Sequence, residues 1–157
     1  MMNSNLVQLS SNELSQANVA QRQISQKEFE IKLVDINSTY LSSQDASTYY
    51  YNQQRKQSLQ AEISNLKSTR DIHINTALMH ALTLAERELH EQSSSSSRAS
   101  VLLSNIRSFL KIQDIRLFVS LPVMLKISLL NSRLQRSSGH FSLKRELMNI
   151  KMQLQIP

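Results

Sequence analysis

The sequence predicts an all-α protein in which a long antiparallel, coiled-coil-like helical hairpin is followed by shorter amphipathic helices. The first reason is the scarcity of residues that interrupt helices, since the 157 residues include one glycine and two prolines. A sheet protein of this size needs many tight turns, and glycine is the usual residue at their positive φ angles. The second reason is that apolar residues recur at steps of three and four along most of the chain.

The first helix is predicted over about 11–36. Ser10 and Glu13 form the Ser-x-x-Glu pattern of a capping box, and Leu9 and Leu14 are placed to form a hydrophobic staple around it. The helix then has an apolar stripe on one side, formed by Leu14, Ala17, Ile24 and Ile31 and then by Phe29, Leu33, Ile36 and Tyr40 at steps of four, three and four. Strict heptad positions also hold Gln21, Glu28 and Asp35, so the helix is amphipathic but not an ideal zipper.

A turn between two helices is predicted in the stretch from Asn37 to Asn52. Its serine, threonine, asparagine and aspartate side chains offer the backbone competing hydrogen bonds, which lowers helix propensity. All four tyrosines lie in or beside this turn, namely Tyr40, Tyr49, Tyr50 and Tyr51. They either pack the open end of the hairpin, which is the favoured interpretation, or form an exposed interface for a partner.

The second helix is predicted over about 45–92. At 1.5 Å per residue it spans roughly 70 Å against roughly 40 Å for the first, so about half of its length needs another partner. Arg70 interrupts its apolar stripe and is interpreted as the point where the packing partner changes. The stripe is the predicted assembly face, formed by Leu59, Ile63, Leu66, Ile74, Leu78, Leu82 and Leu89.

The charge of the chain changes sign at a run of serines. Residues 1–92 contain 8 Lys+Arg and 10 Asp+Glu, net −2, whereas residues 93–157 contain 10 and 2, net +8. The run at 93–97 is therefore predicted to be a flexible linker between a helical hairpin, 1–92, and a basic, apolar helical segment, 98–157.

The basic segment is predicted to contain three helical parts. Residues 98–121 form a helix that folds back onto the acidic end of the second helix, where Glu86, Glu88 and Glu91 lie. A helix kinked at Pro122 follows, for which a buried position is favoured over an interfacial one, and a short strand is the remaining alternative. After a turn around Gly139, a basic amphipathic helix covers 141–156. The uncharged run at 117–125 is far shorter than the roughly 20 residues that a membrane-spanning helix needs, so no transmembrane span is predicted.

Eight basic side chains of this segment are candidate contacts for phosphate groups or anionic lipid: Arg107, Lys111, Arg116, Arg133, Arg136, Lys144, Arg145 and Lys151. Three interpretations stay open. The segment binds nucleic acid, it binds an anionic membrane surface, or its charge complements the acidic half of the same chain. Interleaved leucines weigh against nucleic acid, and the absence of tryptophan weighs against a membrane.

The sequence predicts no catalytic residue, metal ligand or cofactor site. Cysteine is absent, which excludes disulfides and thiolate metal ligands. His73, His80 and His90 stand seven and ten residues apart, so they do not converge on a metal ion, and they are interpreted as solvated or ion-paired, His90 with Glu86. A single glycine does not suffice for a phosphate-binding loop.

The predicted function is therefore that of a non-enzymatic, coiled-coil-type structural or adaptor subunit that assembles with protein partners or with itself through its helices. The alternative is an accessory protein, viral or cellular, that binds nucleic acid or an anionic membrane surface through its basic C-terminal half. The first residues resemble neither a secretory signal nor an arginine-rich transit peptide, so a cytoplasmic or nuclear location is expected.

Overall fold

The computed structural model describes residues 2–41, 46–91 and 97–157, with the side chains of 5–39, 46–91 and 97–157. These ranges contain no strand and five helices, which are α1 (Met2–Leu41), α2 (Ala46–His90), α3 (Arg98–Ile112), α4 (Leu121–Gln135) and α5 (Phe141–Gln153). The predicted all-α class is confirmed.

The helices α1 and α2 pack together as an antiparallel hairpin, as predicted. The direction is evident from three side-chain contacts in which the residue number falls on α1 as it rises on α2: Asp35 to Lys56, Lys27 to Glu62, and Gln21 to Arg70. The first two contacts are partly exposed ion pairs at the edges of the helices, and the third, between Gln21 and Arg70, is buried.

The chain divides into two compact units. The hairpin unit is Gln16–Arg70, and the bundle unit is Met1–Ser15 together with Asp71–Pro157. The division between units crosses both long helices, which differs from the predicted division at the serine run. Residues 93–96 of that run lie outside the described ranges.

Small residues bring the two helices of the hairpin unit together. Ala17, Ala20 and Ile24 of α1 are buried, and so are Leu59 and Ile63 of α2. Alanine has no side-chain conformational entropy to lose and allows close approach of the neighbouring helix.

The core of the bundle unit is built around the second half of α2. Its buried apolar residues cover a wide arc of the helix: Ile74, Ala77, Leu78, Ala81, Leu82, Leu84 and Ala85. A helix that is apolar over so wide an arc needs partners on more than one side. Side chains of the C-terminal helices supply the rest of the core, including Leu103, Ile106, Ile127, Leu130 and Leu147. The end of α2 that the hairpin was expected to leave uncovered is therefore covered by the chain itself.

The predicted start of the first helix at Ser11 is wrong, because α1 begins at Met2. Ser10 does not cap the helix. It lies within the helix, buried, and its hydroxyl donates to the carbonyl oxygen of Ala77 on α2 at 2.9 Å. Glu13, the other half of the predicted capping box, pairs with His73 instead.

The polar stretch from Asn37 to Asn52 is largely helical, because α1 extends to Leu41, past its predicted end at about 36, and α2 begins at Ala46, close to the predicted 45. The polar side chains that lower helix propensity here have hydrogen bonds compatible with helix. Thr39 donates to the carbonyl oxygen of Asp35 one turn earlier, and Asn52 of α2 donates to the hydroxyl of Ser38 at 3.3 Å.

The start of α3 is held by a carboxylate of α2. The oxygens of Glu88 accept from the Ser97 hydroxyl at 2.6 Å and from the Ala99 amide at 3.1 Å, and Ser97 caps the helix by accepting from the Ser100 amide. An anion at this position is stabilised by the free amides and the dipole of the helix N-terminus. The fold-back of this segment onto the acidic end of α2 was predicted, and Glu88 provides its main polar contact.

The helix predicted over 98–121 ends at Ile112, followed by an irregular segment at 113–120. Asp114 has a positive φ of 51°, and the amides of Asp114 and Ile115 donate to the carbonyls of Lys111 and Leu110. This is a Schellman motif with aspartate at the position that usually holds glycine.

One residue of α2 fixes the irregular segment. The amide group of Asn75 donates to the carbonyl oxygen of Phe118 at 2.9 Å, and its oxygen accepts from the Ser120 amide at 2.8 Å. Asp71, one turn earlier, accepts from the Phe118 amide at 3.4 Å. Backbone groups without helical partners are thereby satisfied.

The predicted kink at Pro122 is wrong. Pro122 lies in the first turn of α4, with Ser120 as the N-cap residue. At that position the missing N–H has no intrahelical acceptor in any case, so proline begins the helix without disrupting it. The turn predicted around Gly139 is present, with Gly139 at φ 90° and His140 at φ 55°, and α5 begins directly after it.

Candidate interaction surfaces

The residues of the predicted assembly face lie within the chain's own cores. Leu59, Ile63, Ile74, Leu78 and Leu82 are buried. The other two members, Leu66 and Leu89, are half-buried. This face is covered because α1 starts earlier than predicted and because α3, α4 and α5 pack on the end of α2. In this conformation it is not open to a second chain.

The apolar residues that α1 exposes form a second stripe, which we name the outer seam: Val19, Phe29, Leu33 and Ile36. Their side chains are 47%, 60%, 50% and 54% exposed. Together with the exposed Arg22 and Gln26, these four residues occupy every contact position of a heptad pattern, at alternating steps of three and four. This is the spacing of the contact positions in a coiled coil.

The outer seam is on the side of α1 that faces away from α2. Ile24 is buried, and Ile31 and Val34 are half-buried on the side that packs in the hairpin. Ile31 and Leu33 are two residues apart, which on an α-helix places them on opposite sides. The sequence pattern placed Phe29, Leu33 and Ile36 on one apolar side together with Ile24 and Ile31, whereas the structure places the two sets on opposite sides of α1.

The positions beside the outer seam have little net charge. In the heptad pattern they are Gln23, Glu30 and Asn37 on one edge and Ser25, Lys32 and Thr39 on the other. Glu30 pairs with Arg55 of α2 at 3.2 Å. When the outer seams of two copies pack together, no row of like charges therefore faces another across the contact.

Three of the four tyrosines are exposed near the end of the hairpin. Tyr49, Tyr50 and Tyr51 have 53%, 65% and 63% of their surface accessible, which favours the interface interpretation over packing. The side chain of Tyr40 lies outside the described residues. Because Asn52 contacts Ser38, the three exposed tyrosines are close to the end of α1.

Three of the eight candidate basic side chains are engaged within the chain. Arg107 Nε lies 3.5 Å from Glu146 Oε2, within ion-pair distance but without an aligned hydrogen bond. Lys144 donates to the carbonyl oxygen of Ser137 at 2.7 Å. The guanidinium of Arg133 donates to Nε2 of His90 at 3.2 Å.

The other five make no ion pair with the described residues. Lys111, Arg116, Arg136 and Arg145 are exposed, and Lys151 is half-buried. The eight are thus not one continuous cluster, since part of the set contributes to internal contacts.

The helix α4 is apolar on two opposite sides. Val123, Ile127, Leu130 and Leu134 are buried. The opposite side exposes Leu121, Leu125 and Leu129, which stand one turn apart, and Phe118 precedes them in the irregular segment. The sequence identified the apolar character of this stretch but predicted that it was buried throughout.

The histidines on α2 take part in polar contacts. His73 Nδ1 lies 2.6 Å from Glu13 Oε2, in agreement with the ion-paired interpretation. The predicted pair of His90 with Glu86 is wrong, because Glu86 pairs with Lys126 of α4 at 2.6 Å. No group of metal-ligating side chains is present among the described residues.

Hydropathy also bears on the surfaces. None of the five helices described above combines the length and the apolar character that crossing a bilayer requires.

Comparisons with known proteins find no matching family model, no matching curated protein and no matching solved structure.

Proposed function

We propose that the protein is a non-enzymatic, coiled-coil-type structural or adaptor subunit that assembles by self-association through the outer seam of α1. The observation that supports this is an exposed apolar stripe at heptad spacing, on the side of α1 that the hairpin leaves open. Exposed apolar residues are ordinary when scattered, but a continuous row on one side of a helix is typical of a contact surface.

The expected stability of such an assembly is modest. Burying a Leu, Ile, Val or Phe side chain contributes roughly 1.5–3 kcal/mol, and these exposed side chains are already partly covered. Arg22 and Gln26 occupy two of the contact positions, which lowers stability and favours one register over others. We therefore expect association that depends on protein concentration.

A second copy of the same chain is the partner that fits best. Coiled-coil contact requires two helices with apolar residues at the same spacing, and a second outer seam has that spacing by definition. The near-neutral edges, with Glu30 already paired to Arg55, do not oppose it.

Sedimentation equilibrium of the full chain over a range of concentrations tests the proposal. We expect association of the unaltered protein and its loss in Leu33→Glu, because the glutamate would place a charge in the centre of the contact. Val101→Glu is the matched control, since Val101 is an exposed apolar residue of α3. A protein that stays monomeric throughout the range, or that associates equally well as Leu33→Glu, would contradict the proposal.

A further inference from the structure

We infer that the outward side of α4, together with Phe118, is a docking face for an anionic membrane surface. The face consists of Phe118, Leu121, Leu125 and Leu129, and it shares no residue with the outer seam. This inference adds a second surface to the proposed assembly function and does not depend on it.

The first argument is apolar exposure. Phe118 is 79% exposed, Leu121 and Leu125 are each 61% exposed, and Leu129 is 54% exposed. The three leucines follow one another at i, i+4 and i+8, so they lie in a row along the helix. Four large apolar side chains, three of them in one row, remain in contact with water unless something covers them.

The second argument is charge. From Asp114 to Glu146 the chain has no intervening acidic residue, whereas it has six basic ones: Arg116, Lys126, Arg133, Arg136, Lys144 and Arg145. Lys126 pairs with the carboxylate of Glu86, which compensates its charge, whereas the hydrogen bond from Arg133 to His90 leaves the charge of the guanidinium in place. Arg116 and Arg136 are exposed, one on each side of the leucine row in sequence.

An apolar row with basic residues beside it matches the chemistry of an anionic bilayer surface. An interfacial helix buries its apolar face roughly 5–10 Å into the boundary between headgroups and acyl chains, and its lysines and arginines attract the anionic headgroups. A nucleic acid would contact the basic groups but would leave the leucines in water. An acidic helical protein or a second copy of this chain remains an outcome of the test.

Co-sedimentation of the full chain with vesicles tests the inference. The probes are phosphatidylcholine vesicles with and without phosphatidylserine. We expect binding only to the phosphatidylserine vesicles, weakened by added salt because surface charges are screened. Leu125→Gln should weaken it roughly tenfold, since it removes one apolar side chain from the interface. Arg116→Gln and Arg136→Gln should each weaken binding about fivefold, because each substitution removes one positive charge.

Two controls separate this face from general effects. Ile112→Gln changes an exposed apolar residue at the end of α3, and Lys67→Gln removes an exposed charge of the hairpin unit. Both should bind as the unaltered protein does. All altered residues are exposed, so circular dichroism should be unchanged.

Three results would overturn the inference. The first is no binding to phosphatidylserine vesicles. The second is binding that is unaffected by Leu125→Gln but lost in the charge variants, which would indicate a phosphate-binding surface of the nucleic-acid type. The third is a lower sedimenting mass of Leu125→Gln without lipid, which would show that a second copy covers the face.

Discussion

Arg70 and Gln21 form a buried polar contact between the two helices of the hairpin unit. Arg70 Nη1 donates to Gln21 Oε1 at 2.9 Å, and both residues are more than nine-tenths buried. An arginine enclosed between apolar layers is satisfied only when its acceptor stands opposite, so the contact favours one register of the two helices. The interruption of the apolar stripe at Arg70 thus has a structural explanation.

Replacing the acceptor should destabilise the hairpin unit. In Gln21→Leu the buried guanidinium loses this acceptor, and we expect a loss of about 1–3 kcal/mol in the free energy of unfolding. Adding Arg70→Met should recover much of that loss, because an apolar pair then replaces the buried charge. Urea denaturation measures both. Gln23→Leu, an exposed position on the same helix, is the control, and equal losses at Gln21 and Gln23 would contradict this account.

Asn75 should be a stabilising residue of the bundle unit although it is neither apolar nor part of a motif. Asn75→Ala removes the hydrogen bonds to the backbone of Phe118 and Ser120. The expected loss is about 1–3 kcal/mol, because backbone groups of the irregular segment lose their partners. Thermal or urea denaturation measures it, with the exposed Asn65→Ala of α2 as control. If the two variants are equally stable, Asn75 does not fix this segment.

Comparing substitutions at Leu82 and Leu33 distinguishes a residue of the core from a residue of the proposed assembly surface. The Leu82 side chain is fully buried, so Leu82→Ala should cost about 2–5 kcal/mol of stability through lost burial and the resulting cavity. Leu33→Ala on the outer seam should change the stability of the monomer by less than about 0.5 kcal/mol. Denaturation at a concentration where the protein is monomeric makes the comparison. A reversed order of the two effects would contradict the assignment of core and seam.

The carboxyl group of Glu62 should titrate below its ordinary pKa of 4.5. A hydrogen bond from the Lys27 ammonium, at 2.9 Å, is the main cause of the lowered pKa, and the positive charge of Lys27 adds to it. Because the folded-state pKa is depressed, the stabilisation is present above pH 4.5 and is lost as the pH falls through the folded-state pKa.

An NMR titration of the Glu62 side chain measures this pKa directly. Lys27→Met should move the midpoint up toward the ordinary value, because the hydrogen bond and the charge are both removed. Lys56→Met is the control, since Lys56 pairs with Asp35 and not with Glu62. A midpoint that is the same in Lys27→Met and in the unaltered protein would show that the pair does not form in solution.

The fold class and the hairpin were predictable because helical spacing extends over most of the chain and only one glycine interrupts it. The helix ends were harder, since they depend on contacts distant in sequence. Ser10 and Glu13 match a capping box, but their partners Ala77 and His73 on α2 keep them within a longer helix. Local pattern and tertiary contact compete at such positions, and here the tertiary contact prevails.

The C-terminal ends of α3 and α5 show a second reason why helix ends are hard to predict from the sequence. Both helices end with a residue of positive φ that is not glycine, Asp114 and Gln155, with the amide of the next residue bonded back into the last turn. Glycine is the usual sequence signal for this motif, and neither of these positions holds glycine, so the motif was not predictable from the sequence. The same holds for Asn75, whose role depends on a segment more than forty residues away.

The interaction surfaces were only partly predictable for a related reason. Periodicity shows that a helix has an apolar side but not which partner covers it. Both sides of α1 have apolar residues: Ala20, Ile24 and Ile31 lie on the side that packs on α2, and Phe29, Leu33 and Ile36 lie on the exposed side. α4 is apolar on both sides, so its spacing alone does not distinguish the buried row from the exposed one.

Chemical cross-linking at Leu33 tests most directly whether copies of the chain meet through the outer seam. The chain has no cysteine, so in Leu33→Cys any product of a short bis-maleimide reagent joins two copies. Leu33 lies on the outer seam, and its two copies face each other if the helices associate parallel and in register. An antiparallel association places Leu33 opposite Arg22 of the second copy, so Leu33→Cys is also mixed with Arg22→Cys. We expect cross-linked dimer from Leu33→Cys, alone or in the mixture, and little from Ile112→Cys, although Ile112 is 77% exposed and Leu33 50%. A yield from Ile112→Cys equal to that from Leu33→Cys, or no dimer from Leu33→Cys either alone or in the mixture, would contradict assembly through this seam.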